Sequence, residues 1–306
     1  MKIFFLVHTL TSGGAERVTS SLANHWAGAG NEVGIITMGL EEDFYPILPQ
    51  VTRHRFDLSK PSPSQIAAFR GAFRRIRAIR RLLRKERPDA VIAMMTSWNI
   101  ELALAAWGLP VRAIGSERIH PPTLPLSRPW QILRKRAYGL LDIVVAQTEK
   151  SGKWVRDNTN AREVRVIPNP VSALRQARPA ATDGLPREAP LLLGVGRLVG
   201  QKRFDRLITA LADARIPQEW HLAIVGEGPL REVLAQQAAA LGVSDRVHFP
   251  GRTALIEGWY ARAQAFALCS DFEGFPNALI EAMTSGLACV AVDCDTGDRK
   301  STRLNS

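Results

Sequence analysis

Four side chains in the second half of the chain have types and spacings that could do chemistry together. Arg197 and Lys202 stand five positions apart in RLVGQK, and Glu273 and Glu281 stand eight apart in DFEGFPNALIEAM. Two cations flanking a strand-to-helix turn suit a diphosphate, because charge-assisted hydrogen bonds and a helix N-terminus favour the same anion. A pair of solvated surface charges is the competing reading of those two residues. Glu273 falls in a turn and Glu281 lies more than a turn inside the next helix, so each carboxylate can accept hydrogen bonds from a different hydroxyl. The first turn of that helix offers the N–H groups of Asn277, Ala278 and Leu279 to phosphate oxygens.

Elements that would hold these groups are legible along the whole chain. Apolar runs KIFFLVH (2–8), NEVGIITM (31–38), VTRHRFD (51–57), DAVIAMM (89–95), VRAIG (111–115), DIVVAQ (142–147) and VRVIPN (164–169) alternate with stretches of 3.6-residue period. After ALRQARPAATDGLPREAP (173–190), rich in Ala, Pro and charge, the alternation restarts with LLLGVGR, WHLAIVGEG, RVHFPGR, AFALCS and ACVAVD. The fold class is therefore α/β, with two tandem Rossmann-like doubly wound domains facing a cleft. The expected boundaries are 1–172 for the first domain, 173–190 for a linker and 191–297 for the second domain.

In the first domain, HTLTSGGAER places Gly13 and Gly14 at the turn from a strand into a helix. Their bare backbone N–H groups can face an anion, or the glycines only permit a tight turn. A dinucleotide site is disfavoured, since GxGxxG is absent and no acidic residue ends the second strand. Composition narrows the class further. A chain of 306 residues that is 46% hydrophobic can fill two cores. Its three cysteines lack metal-ligand spacing and suggest a reduced, cytosolic protein. No run reaches the roughly 18 apolar residues of a spanning helix.

GVGRLVGQKRFDRLITA, VGEGPLREVL, VHFPGR and SDFEGFPNALIEAM, in this order, resemble the donor-binding domain of glycosyltransferase family 4, and VHTLTSGGAERVTSSLA is similar to its first glycine loop. The resemblance spans residues 1 to about 297. It implies retaining enzymes of the GT-B fold that move a sugar from a nucleotide-diphosphate donor, with uracil as the expected base. It puts Glu273 on the transferred sugar, Glu281 on the ribose, Arg197 and Lys202 on the diphosphate, and Gly13, Gly14 and the helix after Glu273 at the donor. Glu117 and Arg118 in GSERIHPP resemble a Ser-Glu-Arg element of members that extend polysaccharide or lipid-linked chains, so Glu117 joins the catalytic set on the acceptor side; His8 and His120 are further candidates there. No cofactor or metal is expected, and Asp293-Cys294-Asp295 only imitates a metal-binding DxD.

The net charge of +11 is concentrated in RGAFRRIRAIRRLLRKER (70–87), nine cations against Glu86. Phe69, Phe73, Ile76, Ile79, Leu82 and Leu83 form an apolar stripe at helical spacing, which faces either the sheet or a partner. Arg74, Arg77, Arg81, Arg84 and Lys85 are the expected contacts with an anionic bilayer, with Arg128, Arg134, Lys135 and Arg136 extending the surface. Nucleic acid is not expected, because no recognition motif accompanies the charge. The resulting expectation is a peripheral glycosyltransferase at the cytoplasmic membrane face, acting on a lipid-linked or polysaccharide precursor. A sugar-nucleotide epimerase and a non-catalytic nucleotide-sugar binder are the alternatives. The ending DRKSTRLNS (298–306) is expected to be non-native, leaving the second domain incomplete and the chain weakly active or inactive.

Overall fold

The computed structural model describes the chain except Ser12 and residues 60–64, 124, 171–184, 187, 254 and 295–306, and the side chains of 65 and 66. Most of the 173–190 stretch and all of 298–306 therefore lie outside the described residues. Two compact units divide between Asn169 and Pro170.

The first unit contains, in chain order, β1 (Lys2–Val7), α1 (Gly14–Gly28), β2 (Glu32–Thr37), β3 (Thr52–Arg55), α2 (Gln65–Glu86), β4 (Ala90–Met94) and α3 (Thr96–Ala106). It continues through β5 (Arg112–Glu117), α4 (Arg128–Ala137), β6 (Ile143–Ala146), α5 (Glu149–Asn158) and β7 (Val164–Val166). The seven strands are parallel in the order β3-β2-β1-β4-β5-β6-β7. β1 reads as an unbroken apolar run because helices cover both faces of a parallel sheet. Phe4 and Leu6 join the core shared with α2 and α3, and Phe5 and Val7 the core under α1.

The second unit holds β8 (Leu191–Val195), α6 (Phe204–Leu211), β9 (His221–Val225), α7 (Arg231–Ala240), β10 (Val247–Gly251), α8 (Glu257–Arg262), β11 (Ala265–Leu268), α9 (Asn277–Thr284) and β12 (Ala288–Ala291). Its parallel order is β10-β9-β8-β11-β12. Leu185, late in the expected linker, is buried in this unit's core.

Both orders reverse direction once, between β1 and β4 and between β8 and β11. At such a reversal the connections leave to opposite sides, and a crevice opens beyond the carboxyl ends of the strands. In the second unit the ladder between β8 and β11 pairs Ala265 with Leu192 and Phe266 with Leu193, ending two residues before β8 does. The loops after these two strands carry Arg197, Lys202 and Glu273.

The apolar stripe of α2 splits in two. Ile79 and Leu83 are buried against the sheet, whereas Phe69 and Phe73 are exposed. The helix is longer than the sheet face it covers, so its first turns run past the core. There Phe69 stacks on Trp130 of α4, with centroids 5.7 Å apart and planes at 4°. Among the described residues, no helix is long and apolar enough to cross a membrane.

Candidate functional site

In the second unit the site is built around one short 3-10 turn, Gly200–Lys202, between β8 and α6. The backbone beyond β8 stays against the segment beyond β9 through Gly196 N to the Val225 carbonyl and Leu198 N to that of Glu227. A Cβ on Gly226 would run into the Gly196 carbonyl oxygen, so this approach requires glycine. Lys202 then folds back across Gly196, whose own Cβ would stand 3.0 Å from Lys202 Cε.

Lys202 Nζ donates to Glu273 Oε1 at 2.6 Å, although 71 residues separate them in sequence. The alignment is enforced by bonds on both sides. Asp271 N donates to the Gln201 carbonyl at 2.9 Å, and Gln201 Nε2 donates to that of Phe272 at 2.7 Å. The Asp271 carboxylate pairs with Arg203 at 3.3 Å and Arg206 at 3.1 Å. Glu273 is 7% exposed, with Lys202 as a counter-charge in direct contact.

α9 follows directly. Its Ala278 and Leu279 N–H groups have no backbone acceptor among the described residues, as the first turn of a helix dictates. Asn277 differs from the sequence expectation: its N–H donates to the Phe275 carbonyl at 2.9 Å, because the Pro276 turn folds that carbonyl back. Glu281 is buried one turn on, with the Tyr260 hydroxyl 3.0 Å from its Oε2 and 3.2 Å from the Ala278 carbonyl. Arg197 is exposed and makes no ion pair among the described residues. Beside this set the Ser270 hydroxyl is buried without a hydrogen-bond partner among the described residues.

Sequence reasoning set Arg197, Lys202 and Glu273 after β8 and β11 and Glu281 in α9; it missed Gln201, Asp271, Arg203 and Arg206, which surround the Lys202–Glu273 pair, and Tyr260, which meets Glu281. Arg203 and Arg206 alternate with Asp205 in a charged helix start, a pattern that alone indicates only solvation. Tyr260 reads as an ordinary core aromatic.

The first unit places Gly13 and Gly14 at the start of α1. Gly13 is extended, with φ 174°, so its conformation does not require glycine. The atoms nearest to a Cβ built there belong to the Glu16 carboxylate, the end of a flexible side chain that can swing aside. Glu117, at the end of β5, is sealed inside the domain. Tyr138 donates to one carboxylate oxygen, and Thr96 donates to the other at 2.8 Å. Burial pushes the Glu117 carboxyl upward, and the hydrogen bonds from Tyr138 and Thr96 oppose that shift. Glu117 therefore accepts from two hydroxyls of its own domain, those of Tyr138 and Thr96. His120 is also buried, with Nδ1 3.1 Å from Ser151 Oγ. His8 is exposed and stacks on Trp98.

The arginines of α2 fall into two groups. Arg75 pairs with buried Glu101 at 2.6 Å, and Arg80 Nη1 donates to the Ala105 and Trp107 carbonyls at the end of α3. Arg70, Arg74, Arg77, Arg81, Arg84 and Lys85 are exposed, and at that spacing they line the outward face of the helix. On α4, Arg128, Lys135 and Arg136 are also exposed, whereas Arg134 is buried over the Trp154 ring.

Residues 12–174 match the model described as Glycosyltransferase Family 4, and residues 180–302 match Glycosyl transferases group 1. A relative from Campylobacter jejuni, an α-1,4-N-acetyl-D-galactosaminyltransferase acting on a diphospho-undecaprenol-linked glycan, is 29% identical over 92% of this chain and 77% of its own length. The amylovoran biosynthesis glycosyltransferase AmsD of Erwinia amylovora is 26% identical over 97% of this chain and 82% of its own. Among solved structures, the lipopolysaccharide outer core galactosyltransferase WaaB matches with TM-score 0.68 and 23% identity, covering 98% of this chain and 83% of that one. Anabaena HepE, solved with UDP and glucose, matches with TM-score 0.72 and 20% identity over 97% of this chain and 82% of that one. These comparisons do not show the second domain to be cut short. With a family model covering more than half its length and two doubly wound domains of the GT-B kind, the chain belongs to glycosyltransferase family 4.

Proposed function

We propose that the chain transfers a hexosyl or N-acetylhexosaminyl group, with retention and without a metal, from a UDP-sugar to a lipid-linked or polysaccharide precursor. The observation that carries this reading is the Lys202–Glu273 pair at the β8/β11 reversal, followed by α9, whose Ala278 and Leu279 N–H groups have no backbone acceptor among the described residues. As the bond from sugar to phosphate loosens, negative charge builds on the departing diphosphate. Lys202, Arg197 and the N-terminus of α9 supply fixed positive potential there. Glu273, oriented through Asp271 and Phe272, receives hydroxyls of the transferred sugar. Glu281, held by Tyr260, receives the ribose. Gly13 and Gly14 give the donor a close approach to backbone N–H groups, and Glu117 holds the end of β5. A relative that acts on a diphospho-undecaprenol-linked glycan and another of amylovoran biosynthesis favour this acceptor class. Incubation with UDP-sugars, with and without a lipid-diphosphate-linked glycan, tests it. Glycan extension only when acceptor is present is the expected result. An altered sugar nucleotide formed without acceptor would replace the reading with epimerisation, and donor affinity without turnover would replace it with binding alone.

The same reading places the chain peripherally on the cytoplasmic face of the membrane. Six exposed cations on α2 adjoin the stacked Phe69 and Trp130, with Phe73 65% exposed and Ile132 of α4 54% exposed. Cations on such a surface contribute about 1 kcal/mol each near anionic lipid, and salt screens them. Vesicle sedimentation is expected to require anionic lipid, to fall steeply with ionic strength, and to weaken in Arg77→Gln with Arg81→Gln. Equal binding to neutral vesicles would retire this placement.

A further inference from the structure

The turn that presents Lys202 ends on a residue in a disfavoured conformation. Arg203 closes the 3-10 turn, its N–H donating to the Gly200 carbonyl at 3.2 Å. It stands in the left-handed region, φ 50° and ψ 41°, immediately before α6 begins at Phe204. A Cβ is unwelcome in that conformation, whereas glycine enters it freely. Phe204 is fixed by its place in the core, and Lys202 by its bond to Glu273, so the bend between them falls on Arg203. The backbone gains nothing from an arginine at this point.

What the arginine supplies is a guanidinium shared between two loops. Its Nε and Nη2 donate to the two carboxylate oxygens of Asp205, at 3.0 and 2.9 Å. Asp205 is itself anchored, because Gln237 of α7 donates to its carbonyl at 3.0 Å. The free arm of the fork, Nη1, donates to Asp271 at 3.3 Å, and Arg206 reaches the same carboxylate at 3.1 Å. Asp271 stands two residues before Glu273, and its own N–H donates to the Gln201 carbonyl. Its side chain and backbone are therefore both tied to the segment that carries Lys202. With Arg203 31% and Asp271 43% exposed at the side chain, such pairs contribute little to global stability. They do fix the direction in which the loop after β11 carries Glu273.

We propose that Arg203 is a positioning residue for sugar transfer: braced on Asp205, it holds Asp271 so that Glu273 stays aligned with Lys202. The strained backbone at residue 203 is what placing a guanidinium there entails. This inference rests on the transferase reading for the step it serves.

Arg203→Gly relaxes the backbone and removes the clamp, which separates the two roles of this position. Thermal stability is expected to be kept, while kcat for transfer from a UDP-sugar to a lipid-diphosphate-linked glycan falls about tenfold or more, as for a displaced reacting group. Affinity for uridine diphosphate is expected to stay within about twofold, since the clamp touches neither Glu281 nor Tyr260. Asp271→Asn, which keeps the backbone bond to Gln201, is expected to show the same loss of kcat. The double variant should lose no more than either single one, because both changes break one contact. Wild-type kcat in Arg203→Gly, losses that add in full in the double variant, or a loss explained entirely by weaker uridine diphosphate binding would each overturn the proposal. If Arg203→Gly does not fold, Asp271→Asn decides alone, with lowered kcat in support and unchanged kcat against. If the wild-type chain transfers no sugar, the transferase reading fails, and amide hydrogen exchange at Asp271 decides the clamp by itself. Faster exchange in Arg203→Gly then supports it, and unchanged exchange overturns it.

Discussion

Lys202→Ala is expected to lower kcat by about 10²–10³-fold, the range for removing one preorganised electrostatic donor from a developing charge. The substitution removes a cation held 2.6 Å from Glu273 at the carboxyl end of β8. It also removes from Glu273, 7% exposed, the counter-charge at 2.6 Å, which destabilises the loop as well as the transfer step. The double variant Lys202→Ala, Glu273→Gln separates the two effects by removing both charges together. Thermal unfolding of the double variant is expected to return towards the wild-type midpoint while turnover stays low. Recovery of turnover in the double variant, or wild-type turnover in Lys202→Ala, would remove Lys202 from the transfer step.

Arg75→Met is expected to destabilise the protein by about 3 kcal/mol at neutral pH, as when one partner of a buried ion pair is removed. Glu101 is 1% exposed and accepts from Arg75 at 2.6 Å. Arg75 also lies 5.6 Å from the Trp98 ring, so the flexible methionine preserves some of the packing and isolates the loss of charge. The pH dependence has a definite sign. Burial already pushes the Glu101 carboxyl upward, with the Arg75 hydrogen bond and charge opposing it. Without Arg75 the folded-state pKa rises further above the unfolded value. For a group raised on folding, stability is fully present below the unfolded pKa and is lost as pH rises through the folded one. The deficit of Arg75→Met should therefore be largest at neutral pH and shrink as the medium is acidified and Glu101 takes up a proton. Urea denaturation of wild type and variant across that range reads it directly. Arg77→Met, exposed on the same helix, should shift stability by no more than about 0.5 kcal/mol. A pH-independent deficit in Arg75→Met would show that the pair is not what stabilises this packing.

The two domains, the order of their strands' appearance and the strand ends that carry the candidate site residues were legible in the sequence, because each rests on local periodicity. β1 and β8 announce themselves as continuous apolar runs, since helices cover both faces of each parallel sheet. Arg197, Lys202 and Glu273 follow apolar runs, so their place at strand ends followed from the one-dimensional pattern. The partners of those residues did not. Lys202 meets Glu273 because β8 and β11 are neighbours at the reversal of strand order, a pairing made across 71 positions. Glu117 was correctly set at a strand end, yet its oxygens are taken by Tyr138 and Thr96, which the packing of α3 and the turn after α4 delivers. The nine cations of 70–87 are alike in sequence. Only the proximity of Glu101 and of the α3 carboxyl end decides that Arg75 and Arg80 are structural while Arg74, Arg77, Arg81, Arg84 and Lys85 face outward. Periodicity reports which face of an element is apolar, a property of neighbouring residues. An ion pair or an unmet hydrogen bond depends on which distant segment packs against that face, and this is settled when the tertiary fold closes.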